Sequence, residues 1–198
     1  MKDPGYVIGI TGGSGSGKTT LLNIIRQQGG LVLDCDAIYH DLLRSDTAML
    51  EAIEFRFPGT VCDGLLDRKK LGSIVFADEK ALLDLNAITH TAVKQEVLRR
   101  LADAPALVAI DAIGLFEGGL AALCHTTVAI TAPEEIRIVR LMNREGISRE
   151  YAQKRIAAQK SDTWFRGKCD YVLENDGTLD AFATKCLAFL REIGIINA

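Results

Sequence analysis

The sequence predicts an α/β protein of three layers, α/β/α, with helices on both faces of a mainly parallel five-stranded sheet. A helical cap and a helical lid are expected beside that sheet. Three observations carry this expectation. Apolar, β-branched runs recur along the chain, and each is followed by a segment of helical periodicity. A glycine-rich segment joins the first run directly to the first helix. Between Ala48 and Leu101 only helical patterns occur, too much chain for one crossover. The 198 residues suit one domain, 1–198, with 48–101 as the cap and 140–168 as the lid region.

The elements follow in order. Tyr6–Thr11 is a buried strand that runs straight into glycines, and Lys18–Gln28 is a helix stopped by Gly29-Gly30. Leu31–Asp34 is a short strand ending in Asp34-Cys35-Asp36, followed by a helix over Ala37–Leu43. Helices are expected over Ala48–Phe57, Arg68–Phe76 and Glu79–Leu101, parted by turn signals at Pro58-Gly59 and Asp63-Gly64. Ala106–Asp111 and Thr127–Thr131 are strands. Thr131 and Glu134 have the spacing of a capping box opening a helix to Arg144, and Ser148 starts another. Tyr171–Leu173 is the last strand, and a helix from Leu179 to Arg191 closes the chain. A cap of this kind belongs beside the carboxyl edge of the sheet, where open α/β sheets bind ligands.

Charge and cysteine usage narrow the function. The net charge of −3 argues against a nucleic-acid partner, yet Arg137–Lys168 holds nine Lys/Arg against three acids. A basic segment on an acidic chain suits a local polyanion such as a nucleotide. The five cysteines are scattered without a C-x-x-C pair, which predicts reduced, mostly buried thiols rather than disulfides or structural zinc. The polar opening Met1–Gly5 and the shortness of every apolar run predict a cytoplasmic chain with no membrane partner.

Gly12-Gly13-Ser14-Gly15-Ser16-Gly17-Lys18-Thr19 matches G-x-x-x-x-G-K-[ST] in the strand–loop–helix setting of a P-loop. Glycines let backbone N–H groups turn inward around phosphate oxygens, and the helix N-terminus adds its positive end. The loop from Gly13 to Thr20 is thus expected to bind ATP, with Lys18 on the β- and γ-phosphates and Thr19 on Mg²⁺. Asp36 follows the second strand, where a carboxylate either accepts the proton of an attacking hydroxyl or holds Mg²⁺ through water. Capping the next helix is the plainer role for it. Asp111, ending an apolar strand, is either a second acid near the metal or a turn residue. Arg140 and Arg144 are four apart and share a helix face; with Arg149 and Arg155 they suit a lid closing on phosphates.

The order of motifs over nearly the whole chain resembles the dephospho-CoA kinase family. That family opens with T-G-G-x-G-S-G-K-[ST], read here at Thr11–Thr19, and its second strand ends D-A-D, matched by Asp34-Cys35-Asp36. Its G-x-L-D-R-x-x-L stands at Gly64–Leu71, leading to Val75-Phe76, and its L-x-x-I-x-H-P at Leu85–His90, with Thr91 replacing the proline. D-x-P-L-L-F-E corresponds to Asp111–Glu117, with Ile113 and Gly114 in place of Pro-Leu. Then come Pro133, Glu134, Arg140, Arg144 and Gly146, a glutamine at Gln159, and the closing Asp170…Val172…Asn175…Gly177.

The resemblance implies transfer of the ATP γ-phosphoryl group to the ribose 3′-hydroxyl of dephospho-CoA, with Mg²⁺. It implies that Asp36 activates the hydroxyl, that Arg140 and Arg144 clamp phosphates, and that Arg68, His90 and Glu117 lie on the acceptor side. Asn175 and Gly177 would border the adenine of ATP. Two other readings stay open: a nucleoside, nucleotide or other small-molecule kinase with a different acceptor, and an ATP-binding regulatory module.

Overall fold

The structure, a computed structural model, describes residues 5–197. Strand β1 (Tyr6–Thr11) leads through the glycine loop to α1 (Lys18–Gln27), then β2 (Leu31–Asp34) and α2 (Cys35–Ser45). The cap follows as α3 (Thr47–Arg56), a small hairpin β3 (Val61–Cys62) and β4 (Leu65–Leu66), α4 (Arg68–Val75) and the long α5 (Glu79–Leu101). β5 (Leu107–Asp111) and β6 (Thr126–Thr131) return to the sheet. Next come α6 (Glu134–Glu145), α7 (Arg149–Ala157), α8 (Asp162–Arg166), β7 (Tyr171–Glu174) and α9 (Leu179–Glu192).

The main sheet has the order β2-β5-β1-β6-β7 and all its pairings are parallel, as expected for strands that read as unbroken apolar runs. Successive side chains leave opposite faces of a strand. Val7, Leu33, Val108 and Ile110 therefore pack against α2 and the cap helices, with Ile38, Ile53, Val93 and Val97. Ile8, Ile10, Ala109, Val128 and Ile130 pack on the other face with Leu21 and Ile25 of α1 and Phe182 and Phe189 of α9. A third, smaller core joins α6 to α7 through Ile138, Leu141, Ala152 and Ile156.

Seven of the nine described α-helices begin with a side-chain cap, such as Asp46 taking the Met49 amide and Asp67 taking the Lys70 amide. Only α1 and α6 begin without one. At α1 the capping position is Gly17 in a left-handed conformation, φ 98°, so the first amides of that helix face outward unclaimed by any side chain.

Three expectations are corrected. The stretch 48–101 is not all helical, because Asp63 (φ 51°) and Gly64 (φ 74°) form the two-residue turn of the hairpin β3–β4. The capping box at Thr131 does not form: α6 starts only at Glu134, after Pro133, and the Thr131 hydroxyl is buried without a partner. The short helix α8 was not anticipated. The five cysteines are free thiols, with Cys35 and Cys186 buried and Cys62 exposed on the hairpin.

Candidate active site

Every segment singled out for chemistry leaves the carboxyl end of a parallel strand or lines the cap beside it. The glycine loop follows β1, Asp36 follows β2, Asp111 ends β5 and Asn175 follows β7. The loop wraps close to its neighbours, and this accounts for two of its glycines. A Cβ at Gly13 would lie 2.1 Å from Arg137 Nη2, and one at Gly17 2.2 Å from Asn175 Nδ2.

The outward carbonyls of the loop are held by side chains from the lid and from β7. Arg140 Nη1 donates to Gly15 O at 3.2 Å and to Ser16 O at 3.1 Å. Asn175, itself buried, donates from Nδ2 to Ser16 O at 2.8 Å and accepts from Arg140 Nη2 at 3.1 Å. With the Gly15 and Ser16 C=O groups tied outward, the Gly15 and Gly17 amides are left for the cavity side, an arrangement that suits phosphate.

A cavity of about 330 Å³ lies over this cradle. Its walls include Lys18, Thr19, Asp36, Asp111, Arg144 and Arg155. The Lys18 ammonium donates to Gly12 O at 3.0 Å. Burial pulls the Lys18 pKa down, opposed by the charges of Asp111 and Asp36. Burial pushes the Asp111 carboxyl up to about 6 against the pull of Lys18, and Oδ1 of Asp111 has no hydrogen-bond partner. Arg144 and Arg155 both reach Glu145, which holds them at the cavity wall.

A second cavity, about 260 Å³, lies between α2, α5 and the segment after β5. Tyr39, Asn86, Thr89 and His90 line it, with Cys35 and Gly114. Asp36 and Ile113 line both cavities. The role of capping α2 falls to Asp34, whose Oδ1 accepts from the Ala37 amide at 3.0 Å. Asp36 stands in the first turn with its carboxylate free of that task.

The predicted site residues are therefore brought together unevenly. Gly13 to Thr19, Asp36, Asp111, Arg140 and Arg144 surround the first cavity, and His90 the second. Thr20 is the third residue of α1, off the walls. Arg68 is exposed at the start of α4, 3.4 Å from His40 Nδ1, and lines neither cavity. Glu117 is exposed, with Lys160 at 3.9 Å, and Gly177 lies in the loop before α9. Arg149 is turned to Glu135. Sequence reasoning passed over Arg137, a buried guanidinium on α6. Its one signal is that 137, 138 and 141 share a helix face, two of them apolar. Asn86 and Tyr39 carried no signal beyond their helical setting.

The model of the family described as dephospho-CoA kinase matches residues 6–181. The chain belongs to the dephospho-CoA kinase family. The dephospho-CoA kinase of Latilactobacillus sakei is 36% identical over 95% of this chain and 96% of its own length. That of Anaeromyxobacter dehalogenans is 38% identical over 94% and 92%. The crystal structure of TT1252 from Thermus thermophilus superposes with a TM-score of 0.79 at 36% identity, over 96% of this chain and 98% of that one. Family membership agrees with the motif order in the sequence and with the parallel sheet, glycine loop and adjoining cavities found here. No helix among the described residues is long and apolar enough to cross a membrane.

Proposed function

We propose that this chain transfers the γ-phosphoryl group of ATP to the ribose 3′-hydroxyl of dephospho-CoA, giving CoA and ADP. The observation that carries the reading is the position of Asp36 on the wall shared by a phosphate cradle and a cap-side cavity. A carboxylate there meets the acceptor hydroxyl on one side and the γ-phosphate on the other.

In this reading Asp36 takes the proton as the 3′-oxygen bonds to the γ-phosphorus, while the bond from that phosphorus to the β,γ-bridging oxygen breaks. Lys18 and the inward amides meet the charge left on ADP. Arg144 and Arg155 face the transferring group from the lid, and Arg140 acts through the loop carbonyls it holds. On the cap side the polar groups available to the acceptor are Tyr39, Asn86 and His90.

The donor set fits Mg²⁺. The Thr19 hydroxyl and the Asp36 and Asp111 carboxylates are hard oxygen ligands, and the buried Asp111 Oδ1 lacks any other partner. Among the described residues no three His, Cys, Asp or Glu side chains converge as a metal cluster, which suits an ion taking most of its oxygens from phosphate and water. Bound there, Mg²⁺ would neutralise charge on the β- and γ-oxygens.

The test is a coupled assay for ADP with the purified protein, ATP, Mg²⁺ and dephospho-CoA, beside a panel of nucleosides and nucleotides. Dephospho-CoA is expected to give the highest kcat/KM of the panel. Preference for another acceptor would transfer the same machinery to a different substrate and sink the reading.

A further inference from the structure

Every polar atom of Ser14 is engaged by two side chains from far along the chain. The Ser14 amide donates to Gln159 Oε1 at 2.9 Å, and Gln159 Nε2 donates to Ser14 Oγ at 2.8 Å. The Ser14 carbonyl accepts from Arg137 Nε at 3.0 Å. Arg137 Nη2 also donates to Gln159 Oε1, at 2.9 Å. That oxygen therefore receives two N–H groups at once, which fixes the orientation of the carboxamide. Arg137 is 5% exposed, and its salt-bridge partner, Asp162 Oδ1, is a distant 4.0 Å away. A guanidinium is costly to bury, and this one spends its directional donors on the loop and on the glutamine that also grips it.

We propose that Arg137 and Gln159 are positioning residues for nucleotide binding: together they hold the loop in its phosphate-accepting shape and key the lid segment onto it. The inference rests on the nucleotide-binding half of the reading above and is independent of the acceptor. With the Ser14 amide turned to Gln159 and the Ser16 amide to Gly13 O, the amides left for phosphate are those of Gly15, Gly17, Lys18 and Thr19. Arg137 sits at the start of the α6–α7 unit and Gln159 just after it. The same three groups thus set both the loop's peptide planes and the seat of the lid. Burial of Arg137 with only a distant carboxylate also leaves its positive charge beneath the cradle, where a polyphosphate meets it.

The variants are Gln159→Leu, which keeps bulk and removes all three hydrogen bonds, Arg137→Lys, which keeps charge and loses the fork, and Gln159→Glu. ATP affinity is read by calorimetry, alongside melting temperature and both KM values. Gln159→Leu and Arg137→Lys are expected to weaken ATP binding about 10-fold or more, with acceptor KM within about 2-fold of wild type. Gln159→Glu retains an acceptor oxygen for the Ser14 amide and Arg137, and is expected to recover most of the loss. A second measurement needs no variant: in nucleotide-free wild type the Ser14 amide should exchange with solvent at least about 10-fold more slowly than the Gly15 amide. Variants that bind ATP as tightly as wild type, or a Ser14 amide exchanging as fast as that of Gly15, would overturn the inference alone. A wild type that binds no ATP would overturn the functional reading with it.

Discussion

Asp34 accepts the Ala37 amide and leaves Asp36 free to face both cavities. The two acids can accordingly be separated by substitution. Asp36→Asn is expected to leave the melting temperature nearly unchanged while turnover falls by ~10²-fold or more, since the amide has little proton affinity. Asp34→Ala is expected to cost ~1 kcal/mol of stability by denaturant titration, the usual value of a helix cap. An Asp36→Asn protein that melts early but turns over normally would reverse the assignment. Lys18→Ala should lower turnover by ~10²-fold or more with the fold intact, and near-normal turnover would remove the loop from the chemistry. Lys18 and Thr19 were legible in the sequence because a phosphate loop is built from contiguous residues whose spacing is itself the signal. Asp36 was half legible, as position suggested both base and cap. Arg137 was not legible, because its meaning lies in contacts to residues 14 and 159. A basic residue in a basic stretch shows nothing of burial.

Among the elements, α5 carries one ion network with a clear pH signature. The Glu96 carboxylate accepts from Arg99 and from Arg100, and those bonds hold its pKa down to about 2, against 4.5 without them. A carboxylate whose folded pKa is depressed stabilises the fold fully above pH ~4.5, and this contribution fades as pH falls through ~2. Arg99 is 73% exposed, so solvent screening keeps the whole effect small. Glu96→Gln should therefore be less stable than wild type at pH 7, and the gap should close on acidification towards pH 2. A gap independent of pH would show that packing, not charge, accounts for it. The buried, unpaired Thr131 hydroxyl makes a second case: Thr131→Val is expected to be neutral or stabilising, since it removes a desolvated group with no partner. Loss of more than about 1 kcal/mol would mean that hydroxyl has a partner in solution. The bounds expected for α5, Glu79–Leu101, are those observed. The hairpin β3–β4 was missed although its Asp-Gly turn was visible, because strands of two residues have no measurable period.

At the scale of the whole molecule, the strand order brings four distant loops to one edge of the sheet. That order was not legible: β5 inserts between β2 and β1, although α2 and the whole cap separate it from β2 in the chain. Apolar runs announce that strands exist, while neighbours are chosen by long-range packing. In the proposed reading, the edge so formed is where ligand binding and fold stability are coupled. ATP at about 100 times its Kd should add ~2.7 kcal/mol, or roughly 5–10 °C in Tm for a chain of this size, and Lys18→Ala should shrink that shift. A Tm indifferent to ATP would mean that the folded chain does not bind the nucleotide preferentially.

The uncapped start of α1 gives this coupling a physical form. On seven other described helices a side chain finishes the first turn; on α1 no side chain does, and in the proposed reading a phosphate from solution takes that place. On that reading a bound phosphate would be, in structural terms, an exchangeable residue of the protein, completing a helix whose Leu21, Leu22 and Ile25 anchor one face of the sheet. Inorganic pyrophosphate, with neither base nor sugar, should on this account tighten α1 and the α9 helix packed against it. Slower amide exchange in both helices on adding it would be the sign.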